Sequence, residues 1–191
     1  FKKVLFDEDM QKSTRVFSII KLKNSNIIID SFIYNQEEKL VILTSIGRLF
    51  KFNLSNNFLN PTTKQSQGLL LVNLLPKEQI VSCCKSKEKD TLYLVSKKGK
   101  FFKLKIDEIY DGHNSKLGYI NEKFQLKNDH FIKVFQSNHF IDIETNKNKS
   151  ARLNLNKLTL ISDKNMFKID FLNLEQDEYI ENCSRQEKLI N

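Results

Sequence analysis

Five lysines lie within nine positions of the segment SKKGKFFKLKID, which spans residues 96–107. The other residues of this segment favour a β-hairpin, whereas lysine is a poor strand former and neighbouring like charges repel each other. Two interpretations fit this pattern. The lysines either cover a solvated surface hairpin, or they form a surface that binds a polyanion. Because ammonium groups neutralise phosphates, nucleic acid is a polyanion that such a cluster would suit.

No other group of residues has the spacing of a catalytic or metal site. The three cysteines form an odd set without a C-x-x-C pair, so we predict neither a disulfide framework nor a zinc site. Cys83 falls at a repeated strand position, which favours a packing role, and the three histidines lack metal-ligand spacing. The sequence contains no phosphate-binding Gly-rich loop and no Gly-x-Ser-x-Gly motif. We therefore expect no catalytic residues and no cofactor in this segment.

The composition is that of a folded, basic protein. Among 191 residues, 40% are hydrophobic, and with only 5 Gly and 2 Pro we expect no long flexible linker. The formal net charge of +8 favours anionic partners such as nucleic acid or a membrane surface. No apolar run reaches about 18 residues, so we expect no membrane span. The chain does not begin with Met and has no signal-peptide pattern, from which we expect a piece of a longer protein. The cysteine pattern, without a predicted disulfide framework, fits a reducing cytoplasm.

The chain repeats itself at a spacing of 52 residues. Residues 14–54 fall on residues 66–106 without a gap, and LVILTSIGRLFKFNL meets LYLVSKKGKFFKLKI. A looser third copy follows, in which ARLNLN at residues 151–156 resembles the closing strand of the second unit. We predict one repeat domain over residues 1–191, with units at 14–65, 66–115 and 116–157 and a partial unit at 158–185. Periods of 40–50 residues with four strands per unit are typical of propellers and related arrays.

Short apolar runs broken by turn residues predict strands inside each unit. In the first unit they lie near residues 16–22, 27–34, 39–45 and 48–54. SIGR and KKGK predict tight turns in which Gly supplies the positive backbone angle. The closing strand alternates, with Phe50, Phe52 and Leu54 on one face and Lys51 and Asn53 on the other. No segment has sustained helical periodicity, so the predicted fold class is all-β.

Basic residues recur at equivalent positions of these units. If the units stack around an axis, such positions trace a belt along the rim, which could neutralise several phosphates without reading bases. The alternative is that lysine at strand edges prevents aggregation of the sheets. Polar loops add a lysine before Gly68 and another before Gly118, although each Gly could simply start the next strand. The ten candidate DNA contacts are Arg48, Lys51, Lys64, Lys97, Lys98, Lys100, Lys103, Lys105, Lys116 and Arg152.

The motifs resemble a known family. The succession LVILTSIGRLFKFNL, PTTKQSQGLLLVNLLPKEQIV and LYLVSKKGKFFKLKIDEI is similar to the C-terminal domain of the A subunit of bacterial type IIA topoisomerases, DNA gyrase and topoisomerase IV. The resemblance covers residues 40–106 well and residues 107–185 in outline. It implies a β-pinwheel, a propeller-like disc whose basic rim binds and bends duplex DNA. It also implies, as partners, the rest of the A subunit and the ATPase subunit, with ATP and Mg²⁺ used elsewhere in the enzyme, in the cytoplasm at the nucleoid.

Two departures from that family pattern bear on function. Gyrase has a Gln-Arg-Arg-Gly-Gly-Lys-Gly heptapeptide, to which KQSQG at residues 64–68 is the nearest approach here. The chain also holds about three and a half units, where a gyrase disc usually has six. These departures favour a topoisomerase IV-like or divergent gyrase-A-like role over gyrase-like wrapping. The alternatives are a propeller-like protein-interaction module whose basic face meets an acidic partner, and an enzyme that uses the axial mouth of a propeller.

Overall fold

The structure is a computed structural model of the chain. It describes residues 1–5, 7–16, 18–22, 26–55, 59–63, 66–112, 118–120, 124, 126–136, 140–155, 166–168 and 173–185. Across these ranges the regular elements are one helix, α1 (Glu8–Lys12), a 3₁₀ turn (Ile106–Glu108) and ten strands. The predicted all-β class is therefore confirmed. The strands are β1 (Lys39–Thr44), β2 (Leu49–Asn53), β3 (Ile80–Ser86), β4 (Thr91–Ser96), β5 (Lys100–Lys105), β6 (Phe131–Gln136), β7 (Phe140–Thr145), β8 (Ser150–Asn154), β9 (Met166–Lys168) and β10 (Ile180–Arg185).

Each sheet combines strands from successive repeats, and the middle sheet also contains β9 of the partial unit. The strand orders are β2-β1-β3, β6-β4-β5-β9 and β10-β7-β8. Each tight hairpin therefore pairs its first strand with the strand that opens the next repeat, as β1 does with β3 in antiparallel register from Lys39–Ser86 to Ile42–Cys83. Since β3 and β4 are consecutive in the chain but belong to different sheets, the covalent chain links neighbouring sheets.

The two hairpins with the strongest sequence signal form as predicted. The predicted strands at residues 39–45 and 48–54 correspond to β1 and β2, and the turns between strands place Gly47 at φ +89° and Gly99 at φ +78°. A side chain on Gly47 would also collide with the ring of Phe131, because an added Cβ would stand 2.6 Å from it. Both sequence and packing therefore require glycine at this turn.

The other two strands predicted in the first unit are not strands. No strand is assigned to the described part of residues 16–22 or to residues 27–34. The second-unit counterpart of residues 27–34 is β3, which obtains its partner from the preceding hairpin. Among the described residues no hairpin precedes residues 27–34, so this segment lacks the partner that a strand needs. Much of the partial unit at residues 158–185 lies outside the described residues, and the repeat boundaries remain predictions.

The described residues form three hydrophobic clusters, one on the outer face of the first sheet and two between successive sheets. Leu40, Ile42 and Phe50 belong to the outer cluster. Val41 and Leu43, on the opposite face of the same strand, pack with residues of the second sheet. Because both faces of β1 are buried, its sequence is a continuous apolar run rather than an alternating one.

The outer strand edges are covered by segments from later in the chain. Leu49 and Tyr119 exchange two backbone hydrogen bonds of 2.8 and 2.6 Å, and the amide of Gly112 donates to the oxygen of Lys51 at 2.6 Å. Strand β9 covers β5 in the same way. Residues 110–112 and 118–120 therefore act as a strap along β2. None of the helices found in the described ranges is both long and apolar enough to span a bilayer.

Candidate nucleic-acid interface

The first basic position of each repeat follows the tight turn, and in the first unit it is buried. Arg48 is 2% exposed, and its Nε lies 3.0 Å from Oε1 of Glu78. Its terminal nitrogen donates to the backbone oxygen of Asn73 at 2.7 Å, and its guanidinium stands 4.9 Å from the centre of the Phe50 ring. This arginine therefore connects the hairpin turn to the start of the next repeat, and little of its surface is left for a phosphate.

The third unit repeats this arrangement with a lysine. Lys149 occupies the place of Arg48, and its Nζ lies 2.7 Å from Oε2 of Glu178. The Lys149 hydrogen bond lowers the pKa of the buried Glu178 carboxyl to about 2, although desolvation works in the opposite direction. The equivalence follows from backbone bonds, because Ser45 donates to Gln79 as Asn146 donates to Tyr179. Lys149 was not among the predicted contacts, although the alignment of TNKNK with TSIGR and SKKGK places it at the position of Arg48 and Lys100.

The second unit differs because its acidic residue is one methylene shorter. Lys100 stands at the turn, and the carboxylate at the place of Glu78 is that of Asp129. Its Oδ1 accepts the backbone amides of Lys98 at 3.1 Å and His130 at 2.8 Å. In the described part of the chain Lys100 has no ion pair. Its ammonium is therefore available to an external anion, in contrast to the basic groups at the other two turns.

The second basic position lies in the closing strand, and in the first unit it too is buried. Lys51 is 9% exposed, and its Nζ donates to the backbone oxygen of Ile106 at 3.3 Å. The same ammonium lies 3.5 Å from a carboxylate oxygen of Glu88. The predicted alternation of the strand is correct, but the face of Lys51 is covered by the next repeat. DNA contact by Arg48 and by Lys51 stays a prediction, and both side chains have protein partners already.

The equivalents of Lys51 in later units are more open. Lys103 is half-buried, with its Nζ 5.9 Å from the centre of the Tyr93 ring. Arg152 is exposed and forms a bidentate ion pair with Asp142, in which Nε and a terminal nitrogen donate to the two carboxylate oxygens at 2.7 and 3.1 Å. The hydrogen bond that Arg152 donates to Asp142 raises the pKa of Arg152. Lys103 therefore faces an aromatic ring, whereas the charge of Arg152 is already matched by a carboxylate.

The remaining predicted contacts divide between the second hairpin and the polar loops. The Nζ of Lys97 stands 3.9 Å from the centre of the Tyr179 ring, and Lys98 and Lys105 are exposed. Lys64 and Lys116 lie outside the described residues. Besides Lys97, whose ammonium lies over the Tyr179 ring, the structure therefore brings four more lysines that have no ion pair within the described ranges onto one hairpin, β4–β5. These four residues, the hairpin lysines, are Lys98, Lys100, Lys103 and Lys105.

The cysteines behave as packing residues. Burial raises the pKa of the Cys83 thiol to about 11 and that of Cys183 to about 12. A thiol that stays protonated at neutral pH is a poor nucleophile and a poor metal ligand. Within the described ranges, no three His, Cys, Asp or Glu side chains cluster as metal ligands would.

Solved structures show which fold this is. The chain is similar to the C-terminal domain of DNA topoisomerase IV, with a TM-score of 0.65 and 14% identity over 88% of this chain and 53% of that one. It is similar to the DNA gyrase A C-terminal domain (TM-score 0.53, 21% identity, 67% of this chain and 41% of that one). It is also similar to the E. coli ParC C-terminal domain (TM-score 0.54, 14% identity, 78% and 62%).

These similarities confirm the predicted fold. The chain has the β-pinwheel fold of those C-terminal domains, and it spans between 41% and 62% of their length. No protein-family model matches the sequence, and no curated protein matches it either.

Proposed function

We propose, from the premise that this chain has the fold of type IIA topoisomerase C-terminal domains, that it binds duplex DNA without sequence preference and bends it. It would act as the accessory domain of an ATP-dependent topoisomerase A subunit, in the cytoplasm and on the nucleoid. Its partners would be the rest of that subunit and the ATPase subunit. ATP and Mg²⁺ would act in those other parts of the enzyme, and this segment would hold DNA through its side chains alone.

The observation that carries this proposal is the group of hairpin lysines. At the corresponding turn positions, Arg48 and Lys149 have carboxylate partners within 3.0 Å. Lys100 has none among the described residues, and Asp129 instead accepts two backbone amides through its Oδ1. An ammonium without a protein partner can replace the counterions of a phosphate, and each such contact adds to the affinity. Positive charge is therefore most available to DNA at hairpin β4–β5.

Titration of a random-sequence duplex at several salt concentrations tests the proposal. For B-DNA the logarithm of the association constant falls with the logarithm of salt, with a slope of about −0.9 per phosphate neutralised. Replacing Lys98, Lys100 and Lys105 by Gln should make that slope about 2.7 less steep. Energy transfer between dyes at the two duplex ends should rise on binding if the DNA is bent.

A matched control removes the same charge elsewhere. Arg15, Lys21 and Lys77 are exposed and have no ion pair in the described part of the chain, so their replacement by Gln should change the slope less. Equal effects of the two triple variants would mean that net charge, and not the hairpin, drives binding. Absence of binding even at low salt would reject the proposal and favour an acidic protein partner.

A further inference from the structure

Residues 1–3 occupy the place of a closing strand. Leu69 and Phe1 exchange two backbone hydrogen bonds, of 2.7 and 2.9 Å, as Tyr119 and Leu49 do. The amide of Thr62 donates to the oxygen of Lys3 at 2.7 Å, as the amide of Gly112 donates to Lys51. Residues 59–63 and 66–69 therefore lie along residues 1–3 as the strap lies along β2.

The side chain at this position matches as well. Lys3 is 4% exposed, and its Nζ donates to the backbone oxygen of Leu54 at 2.6 Å. Lys51 makes the equivalent bond to Ile106, which is the counterpart of Leu54 one repeat later. Phe1 thus corresponds to Leu49 and Lys3 to Lys51, so this segment has both the backbone and the side-chain contacts of β2.

The strand that should stand beside residues 1–3 is missing from the described residues. In the three sheets, β3, β6 and β10 each pair with the first strand of the preceding hairpin. Residues 28–34 are the first-unit counterpart of β3. In the described ranges their backbone amides and oxygens have no backbone partner. Their other contacts include those from the Ser31 amide to Asp30 and from Lys85 Nζ to the oxygen of Ile33, and the Nζ of Lys3 stands 5.0 Å from the centre of the Tyr34 ring.

The apolar contacts at this end are incomplete in the same way. The cluster between the first two sheets contains Leu92, Leu94 and Phe102, and it is closed by Val41 and Leu43 of the preceding hairpin. The outer cluster contains the counterparts of the first three, Leu40, Ile42 and Phe50. It has no counterpart of Val41 or Leu43 within the described ranges. Several large apolar residues are correspondingly exposed: Phe1, Leu5, Ile27, Ile28, Ile29, Ile33 and Leu70.

We propose that the space between residues 1–3 and residues 28–34 is a binding site for one further β-strand. A tight turn would connect the end of that strand to Phe1. That strand would pair antiparallel with both neighbours, as β1 does with β2 and β3. It would be about six residues long and apolar on both faces, because β1 is buried on both faces. The turn is required because Phe1 corresponds to Leu49, the residue that follows the β1–β2 turn and Arg48.

The proposal can be tested by supplying the strand. Residues 39–48, KLVILTSIGR, are placed directly before Phe1, which preserves the register of Arg48 and Leu49. We expect the amides of residues 28–34 to exchange with deuterium at least about tenfold more slowly, because strand pairing protects amides from solvent. Binding of a hydrophobic dye should fall, since the exposed isoleucines become covered.

The matched control carries a graft of equal length in which the four central apolar residues are threonines and the turn is unchanged. Circular dichroism of all three proteins verifies that the remaining sheets are folded. Equal exchange of residues 28–34 in the graft and the control would overturn the proposal. Dimerisation of the ungrafted chain with the same amides already protected would also overturn it, and would assign the site to a second copy.

Discussion

Arg48 and Glu78 form an ion pair at 3.0 Å in which both side chains are almost completely buried, with exposures of 3% and 1%. The carboxylate of Glu78 also accepts the amide of Leu75 at 2.7 Å, which closes the turn before β3. The pair thus joins the hairpin of one repeat to the first strand of the next. Arg48 lies near the end of one repeat and Glu78 near the start of the next, and both flank strands of the same sheet, β2-β1-β3.

Replacing Glu78 by Gln should destabilise the protein strongly. The buried guanidinium of Arg48 would lose its counterion, and breaking a buried pair costs about 3–5 kcal/mol. Urea unfolding measures this change in the free energy of unfolding. The control is Glu8→Gln in the exposed pair with Lys12, which should cost less than about 1 kcal/mol. Similar small losses in both variants would show that the Arg48–Glu78 pair contributes little.

Two substitutions of Asp129 should change the affinity for DNA in opposite directions. Asp129→Glu lengthens the carboxylate to that of Glu78 and Glu178, so it should pair with Lys100 and reduce the salt slope by about 0.9. Asp129→Asn retains an oxygen for the amides of Lys98 and His130 but removes a negative charge, so affinity should rise. The measurement is duplex titration at fixed salt, with thermal unfolding to verify folding. Affinity that moves the same way in both variants would contradict this assignment.

Lys51 and Lys103 occupy equivalent positions, but their replacement by Met should have different effects on stability and on DNA binding. Lys51→Met removes the donor to the buried oxygen of Ile106, which should cost about 1–3 kcal/mol of unfolding free energy and leave the DNA salt slope unchanged. Lys103→Met should reduce the slope by about 0.9 and change stability by less than about 0.5 kcal/mol. Each variant is the control for the other, and the reverse pattern would place the phosphate contact at Lys51.

Acid should destabilise the third unit through Glu178. Its pKa is lowered from 4.5 to about 2 by the hydrogen bond from Lys149, with a further bond from the hydroxyl of Thr145 at 2.8 Å. A folded-state pKa below the unfolded value adds stability that is present above about pH 4.5 and lost as the pH falls toward 2. The urea midpoint of Glu178→Gln should therefore fall less between about pH 6 and pH 2.5 than that of the unsubstituted protein.

The control for this pH effect is Glu181→Gln, which changes an exposed carboxyl without an ion pair in the described residues. Its midpoint should follow that of the unsubstituted protein over the whole range. If Glu178→Gln also follows that curve, the acid sensitivity arises elsewhere.

The hairpins could be predicted from the sequence because the residues that specify them are close together in the chain. Apolar runs on either side of SIGR and KKGK fix the strands, and a glycine with positive φ fixes each turn. The spacing of 52 residues then indicated the repeat, and the resemblance supplied the pinwheel. The same local pattern also predicted strands at residues 16–22 and 27–34, where the described residues have none. A strand needs a partner, and the repeat pattern does not say whether a given unit has one.

The sequence by itself determined the all-β class, the turns and the recurrence of basic residues, since each depends on residues close together in the chain. Only the tertiary structure decided which of those basic residues are available to a ligand. Arg48 is neutralised by Glu78, thirty positions away, and Lys51 donates to Ile106 in the next repeat. At Lys100 the shorter side chain of Asp129 leaves the charge without such a partner. Charge is fixed by residue type, but its pairing depends on distances that folding alone establishes.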